Sequence, residues 1–251
     1  MSGHSKWATI KRKKGANDAA RGKKFTKLVK EIATAARMGG GDPDANARLR
    51  KAVNDAKGQQ MPSDSIKRAI QRGTGEIDGA NYEEVLYEGT GPGGTLFLVE
   101  GMTDNRNRTA AELRKLFERH NGNMGGAGAA QWAFDRLGTI SLDKGQVTED
   151  KLMEAALEAG AEDYRDEGEV WTVYTPIEQL FEVVDSFEKS KLVVGDSKLA
   201  FVPKTKKEVT GRDAEVCLNF VDALDDHDDV QNVFADFDIS DDELARISGA
   251  G

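Results

Sequence analysis

Ten lysines and arginines lie within the first thirty positions of the chain, where Asp18 is the single carboxylate. Cations at this density bind phosphate groups, because each contact releases condensed counterions from a nucleic acid. His4 and Trp7 lie between these cations, and an aromatic ring can stack on an unpaired base. The residues predicted to contact nucleic acid are His4, Lys6, Trp7, Lys11, Arg12, Lys13, Lys14, Arg21, Lys23, Lys24 and Lys27. Two alternatives stay open: a solubilising basic tail, and packing of Trp7 on the helices that follow.

A second candidate anion site is the segment 103–109, Thr-Asp-Asn-Arg-Asn-Arg-Thr. We predict that it joins a strand to a helix, so backbone amides at the start of the helix would face an anion together with Arg106 and Arg108. The alternative is structural: Asp104 or Asn105 caps the helix, and the two arginines pair with nearby carboxylates.

Signals for catalysis or metal binding are weak. The three histidines are scattered, and no Cys/His spacing matches a zinc site. The segment 225–229, Asp-Asp-His-Asp-Asp, has a metal-binding composition, but we interpret it as a solvated acidic loop. The glycines at 89–94 lack the Lys-Ser/Thr ending of a P-loop. We therefore expect no enzymatic activity, no cofactor, no metal and no small-molecule substrate.

Charge is distributed unevenly over the 251 residues. Residues 1–80 carry 18 Lys and Arg against 8 Asp and Glu, a net charge of +10, whereas residues 81–251 carry a net charge of -19. Such asymmetry is typical of a chain with one nucleic-acid-binding part, although a solvated charged face is the alternative. No apolar run approaches the roughly 20 residues that span a bilayer, and the basic N-terminus does not resemble a signal peptide. With Cys217 as the single cysteine, predicted to lie in the core, we expect a cytoplasmic protein without membrane contact.

The elements that must position these residues begin with a basic helical domain over residues 1–79. Apolar residues recur every three or four positions in 23–38, which predicts an amphipathic helix. Further helices are predicted over 44–60 and 65–71, with short glycine- and proline-containing loops between them. Within 23–60 we identify no helix-turn-helix motif, because the intervening loop is long and acidic, and this absence favours RNA over DNA as the target.

From residue 80 onward the pattern predicts strands and helices together. A hairpin, a helix over 109–120 and a strand at 131–134 come first, and residues 136–205 follow the order βαββαβ, the ferredoxin-like pattern. A last helix and strand exceed the βαββαβ pattern, and we predict that they belong to the α/β unit that precedes residue 136. The fold class is thus α+β: a helical N-terminal domain followed by two α/β (ferredoxin-like) domains, the third (136–205) inserted into the second (80–135 plus 206–251).

Several short motifs resemble those of the YebC/PmpR family, which includes the mitochondrial translational activator of cytochrome oxidase. They span residues 3 to about 135 in order: Gly3-His4-Ser5-Lys6-Trp7-Ala8, Phe25-Thr26-Lys27-Leu28, Gly39-Gly40-Gly41-Asp42-Pro43-Asp44, Arg72-Gly73-Thr74-Gly75, Tyr87-Glu88-Gly89, Gly91-Pro92-Gly93-Gly94 and the segment 103–109. The resemblance implies three domains, the last inserted into the middle one, and a role in regulating gene expression.

Two functions remain open at this point. The family resemblance implies a DNA-binding transcriptional regulator, and its mitochondrial members suggest instead a translation factor that binds ribosomal RNA. An enzyme acting on a phosphorylated substrate through Arg106 and Arg108 is the third alternative, for which no nucleophile or base is evident. The acidic part of the chain is expected to orient the basic domain or to dock on a basic ribosomal or polymerase protein.

Overall fold

The computed structural model of the protein describes residues 18–249, with side chains from residue 22 onward. Three helices come first: α1 (Asp18–Gly39), α2 (Ala47–Gly58) and α3 (Ser63–Thr74). They enclose one core in which Ile32, Leu49 and Ala69 are fully buried. The helices were predicted correctly in type, but α1 begins before Lys23 and α3 is longer than expected.

Close approach of α3 to α1 depends on Gly73. A Cβ atom built there would lie 2.2 Å from the carbonyl oxygen of Ala33, so any larger side chain would push the two helices apart. Asn46 caps α2, since its Oδ1 accepts from the backbone N–H of Leu49. The same side chain donates to the carbonyls of Ala35 and Gly40, which fixes the loop between α1 and α2.

A four-stranded antiparallel sheet follows. Its elements are β1 (Glu83–Thr90), β2 (Leu96–Thr103), α4 (Arg106–Arg119), β3 (Asn123–Met124), α7 (Gly211–Asp225) and β9 (Val230–Ala235). The strand order is β3-β1-β2-β9, with the hairpin strands at the centre. Phe97 of β2, Phe117 of α4 and Phe220 of α7 are fully buried and contact one another, which holds both helices on the sheet.

The residues between β3 and α7 build a second antiparallel sheet. Its elements are β4 (Phe134–Asp143), α5 (Glu149–Ala159), β5 (Asp163–Asp166), β6 (Val170–Thr175), α6 (Leu180–Lys189) and β7 (Val194–Pro203). The order β5-β6-β4-β7 is that of a ferredoxin-like βαββαβ unit. Ile140, Leu152 and Phe187 lie in its core. The two sheets meet where Phe201 of β7 contacts Phe234 of β9 edge-on.

The predicted α+β fold class is confirmed, with one sheet inserted between the strands of another. Of the two sheets, the inserted one has the ferredoxin-like strand order. The first sheet has a different order, in which the hairpin strands β1 and β2 lie side by side at the centre. The limits assigned to the domains stay a prediction. Three further elements were not predicted as separate ones: β8 (Lys207–Glu208), β10 (Phe237–Asp238) and α8 (Asp241–Gly249).

One short element was predicted wrongly. Residues 131–134 were expected to form a strand, but Gln131–Ala133 form a 3-10 turn and β4 begins at Phe134. The turn leaves Trp132 exposed, whereas a strand would have alternated its side chains. Among residues 18–249, no helix combines the length and the apolar character that a membrane span requires.

Candidate nucleic-acid interface

The predicted nucleic-acid contacts fall into two groups. His4, Lys6, Trp7 and the run Lys11, Arg12, Lys13 and Lys14 lie outside the described residues, and Arg21 lies in α1 with its side chain undescribed. The described members are Lys23, Lys24 and Lys27 on α1, and Arg106 and Arg108 at the start of α4. The structure brings most of this second group to one place, the junction between α1 and the loop 225–229.

Lysines of α1 contact that loop along one face of the helix. The positions 23, 27 and 30 are four and three residues apart, which aligns their side chains. Lys27 donates to the carbonyl of Asp225 at 2.8 Å, and Lys23 lies 3.5 Å from the carboxylate of Asp226. Lys24 is exposed to solvent. Two of the three described lysines in the predicted site therefore already bind protein groups.

Lys30, which was not among the predicted site residues, is the most buried of these cations at 5% exposure. Its ammonium group donates to the carboxylate of Asp229 at 2.5 Å, to the carbonyl of Asp228 at 2.9 Å and to the carbonyl of Met102 at 3.3 Å. A buried ammonium group needs such partners, because desolvation of an unpaired charge costs several kcal/mol. Lys30 thus attaches the helical residues to the first sheet.

Asp229 accepts hydrogen bonds from three side chains. Besides Lys30, the guanidinium of Arg108 donates at 2.7 Å and the hydroxyl of Thr109 at 2.6 Å. Burial alone would raise the pKa of this carboxyl group, but the three hydrogen bonds outweigh burial and hold its pKa well below its usual range. The carboxylate therefore stays ionised wherever the protein is folded near neutral pH.

The acidic loop was expected to be solvated, and for Asp229 this interpretation was wrong. Asp226 and Asp228 are exposed as expected, whereas Asp229 is 4% exposed. Its backbone N–H donates to Nδ1 of His227, whose Nε2 lies 3.0 Å from the carboxylate of Glu112. These contacts turn the end of the loop inward at the start of β9.

Glu112, His227 and Asp229 place donor atoms within 4.8 Å of one another, a spacing that could hold a metal ion. Both oxygens of Asp229 already accept from Lys30, Arg108 or Thr109. A cation bound there would have to displace an ammonium or guanidinium group. The donor set is thus used for ion pairs between protein groups.

Arg108 is occupied by carboxylates. It pairs with Asp104 at 3.0 Å as well as with Asp229, and Asn105 caps α4 by accepting from the backbone N–H of Arg108. Arg106 has 67% of its side chain exposed and lies 3.8 Å from Glu83. This geometry favours the structural alternative for Arg108, whereas a nucleic-acid contact by either arginine stays a prediction.

Single substitutions at the two arginines should have different effects. We expect Arg108→Ala to lower the free energy of unfolding by about 1–3 kcal/mol, since buried Asp229 loses a charged donor. Arg106→Ala is the matched control and should change it by less than about 0.5 kcal/mol, as expected for an exposed residue. Urea denaturation of both variants measures this, and equal losses would contradict the assignment.

Cys217 is fully buried, as the sequence predicted. Burial raises the pKa of its thiol to about 11, so the sulfur stays protonated at neutral pH. It lies against Thr95 and the carbonyl of Pro92 in the core of the first sheet. Its environment is that of a packing residue.

A cleft of about 560 Å³ opens between α1 and the first sheet. Its lining mixes the cations Lys23, Lys30 and Arg108 with the carboxylates of the acidic loop. Because each cation faces at least one carboxylate or carbonyl, the cleft offers little free positive charge to a phosphate. Its geometry is that of a junction between domains.

Two family models match the chain. One, described as "TACO1/YebC protein N-terminal domain", matches residues 5–76, and the other, "TACO1/YebC second and third domain", matches residues 82–237. The chain belongs to the TACO1/YebC family. The resemblance inferred from the sequence motifs is thereby confirmed.

TACO1/YebC relatives match the chain over nearly its whole length. A protein of Trichlorobacter lovleyi named "Probable transcriptional regulatory protein" is 53% identical, with 98% of this chain and 100% of the relative covered. A relative of Geobacter sulfurreducens with a name of the same form is 52% identical over the same shares. The crystal structure of a conserved hypothetical protein of Aquifex aeolicus, 41% identical, superposes with a TM-score of 0.83 and covers 89% of this chain and 93% of that one.

The TACO1/YebC N-terminal domain carries further exposed cations that were not among the predicted nucleic-acid contacts. Lys67, Arg68 and Arg72 lie on α3, are exposed and pair with no carboxylate among the described side chains. The four-residue spacing of Arg68 and Arg72 places them on one face of the helix. The strong amphipathic period of residues 63–74 could have indicated this exposed face, because Ile66 and Ala69 face the core on another side of the helix.

Proposed function

We propose that this protein is a regulator of transcription that binds DNA through its basic N-terminal segment. The observation that carries the proposal is the charge division: ten lysines and arginines stand in the first thirty residues of a chain whose residues 81–251 carry a net charge of -19. The names of the relatives, which describe probable transcriptional regulators, support the same function. The proposed function involves no catalytic step and takes place in the cytoplasm.

The contacts around Asp229 indicate that the basic residues have two different roles. Lys23, Lys27 and Lys30 are bound to the acidic loop, so the C-terminal part of the basic run attaches α1 to the first sheet. The cations from Lys6 to Lys14 precede α1 in the chain, and they are the ones that we assign to phosphate binding. Lys24 and the exposed cations of α3 would extend that contact.

Helix α3 adds support for duplex DNA. Residues 59–62 join α2 to α3, and a connection of about three to four residues is typical of helix-turn-helix motifs. The helix presents Lys67, Arg68 and Arg72 to solvent, and arginine and lysine are the side chains that most often contact guanine in the major groove. We assign these three side chains to the same DNA contact as the basic segment.

The acidic inserted sheet is proposed to dock on a basic protein, such as a polymerase subunit. On α5, four exposed carboxylates stand against one lysine, and Leu157 is 81% exposed. An apolar side chain surrounded by like charges fits a partner of opposite charge that covers it. A phosphate backbone would be repelled from the same face.

Crosslinking in cells, followed by sequencing of the recovered DNA and RNA, tests the proposed function. We expect enrichment of promoter DNA with the wild-type chain. The enrichment should be lost in a four-glutamine variant, Lys11→Gln, Arg12→Gln, Lys13→Gln and Lys14→Gln. A predominance of ribosomal RNA would contradict the transcriptional role and favour the translation factor that the sequence left open.

A further inference from the structure

Trp132 has 68% of its surface exposed, unusual for so large an apolar side chain. It lies in the 3-10 turn that leads from the glycine-rich residues 122–130 into β4. At this point the chain leaves the first sheet and enters the inserted one. A tryptophan in such a position is either covered by a partner or exposed at a cost in hydration.

The turn that carries Trp132 is held in a fixed conformation. Glu88 of β1, itself 4% exposed, accepts hydrogen bonds from the backbone N–H groups of Gly128, Ala130 and Gln131 at 2.8–2.9 Å. Burial would raise the pKa of this carboxyl group, but the three backbone donors outweigh burial and lower it. The indole N–H of Trp132 donates to the carbonyl of Ala129 at 3.2 Å. The ring is therefore presented to solvent in a preformed orientation.

One cation contacts the residue that carries this ring and two more lie near it in the chain, although Trp132 belongs to the acidic part. The ammonium group of Lys204 donates to the carbonyl of Trp132 at 3.0 Å, and the backbone N–H of Lys204 donates to the carbonyl of Ala133. Lys206 is exposed two residues further on, and Arg136 is exposed on β4. Asp135, 3.5 Å from Lys204, is the acidic residue paired there. Residues 132–136 and 204–206 together contain three cations and one carboxylate, in a part of the chain whose net charge is negative.

We propose that Trp132 stacks on an unpaired base of a single-stranded nucleic acid, while Lys204, Lys206 and Arg136 contact the flanking phosphates. A rigid exposed ring beside cations is the chemistry by which proteins bind single strands without reading their sequence. A protein partner would also use an exposed tryptophan, but the cations in an acidic region favour a polyanion. The inference rests on the proposed function and adds a second contact, about one hundred residues beyond the basic segment.

Binding by the full-length chain of four fluorescent probes tests this site. The probes are a 12-nucleotide single-stranded DNA, an RNA of the same sequence, a DNA with abasic positions and the corresponding duplex. Trp132→Ala should weaken binding of the DNA or RNA single strand by about fivefold or more, the lower range of one stacked base. Trp132→Phe should retain binding within about twofold of wild type, because phenylalanine also stacks. Both variants should bind the abasic strand and the duplex with the same affinity as wild type.

If the basic segment binds a short probe by itself, the effect of Trp132 is masked. The same substitutions are therefore also made in the four-glutamine variant. The Trp132 site is contradicted if wild type and Trp132→Ala bind both single strands equally in both backgrounds. The proposed function is retained in that case if the protein still binds duplex DNA. An equal loss on the abasic strand would also overturn the site, since no base is then stacked. If wild type binds none of the four probes, the proposed function fails together with the site. A stronger loss on RNA than on DNA would identify RNA as its ligand.

Discussion

Replacing Lys11, Arg12, Lys13 and Lys14 by glutamine is expected to weaken binding of duplex DNA by about two to three orders of magnitude near 0.15 M salt. Each phosphate contact contributes about 0.9 to the slope of log affinity against log salt, so the slope should decrease by about 3 to 4 if all four residues make contact. Titrations at several salt concentrations measure both quantities. The expected loss is large because these cations lie in the part of the chain with a net charge of +10.

The matched control changes the net charge equally at another place. Four exposed lysines of the acidic part are replaced by glutamine, Lys151, Lys189, Lys191 and Lys198. Their loss should leave the affinity and the slope within about twofold and 0.5 of wild type, because no contact is removed. An equal effect of the two variants would mean that net charge, and not the basic segment, determines binding.

Asp229→Ala is expected to lower the free energy of unfolding by about 3–5 kcal/mol, the range for leaving a buried charge without its partner. Lys30 would remain buried with carbonyl oxygens alone, and Arg108 and Thr109 would each lose an acceptor. Asp228→Ala is the control at the neighbouring position, where the side chain is exposed and only the backbone carbonyl accepts from Lys30. Its effect should stay below about 0.5 kcal/mol.

The pH dependence of that difference gives an independent check. The pKa of Asp229 is lowered in the folded chain, so the carboxylate adds stability that is fully present above the unfolded pKa of about 3.9. This contribution decreases as the pH falls below about 4 toward the folded pKa. The difference between the denaturation midpoints of wild type and Asp229→Ala should therefore become smaller as the pH falls from about 5 to about 3. A constant difference over that interval would show that Asp229 does not act through its charge.

The sequence predicted the elements well where apolar periodicity is strong. In α1 the repeat through Leu28 and Ile32 gives both the helix and its buried face. The assignment of 131–134 to a strand was wrong because a turn held by Glu88 overrides local propensity there. Helix α8 was missed, although three acidic residues in its first turn are a start signal, because Leu244 is its one fully buried residue.

The junction could not be predicted from local sequence. Lys30 has the same chemistry and spacing as Lys23 and Lys27, yet its burial depends on Asp229, 199 positions away in the chain. Likewise, the acidic composition of 225–229 indicates a solvated loop, and only the hydrogen bonds from Lys30, Arg108 and Thr109 hold Asp229 inward. Residues that act by long-range pairing carry no local signal, whereas the basic segment is evident from composition alone.

Mass spectrometry of peptides photocrosslinked to nucleic acid tests the role of the basic N-terminal segment, because it locates the contact in the intact chain. We expect crosslinked peptides from residues 1–30, with a second group around Trp132 when the probe is single-stranded. Peptides from α5 and α6 should be absent at any probe, since their carboxylates repel phosphate. Crosslinks confined to α5 and α6, with none from residues 1–30, would contradict the assignment of the nucleic-acid contact to the basic N-terminal segment.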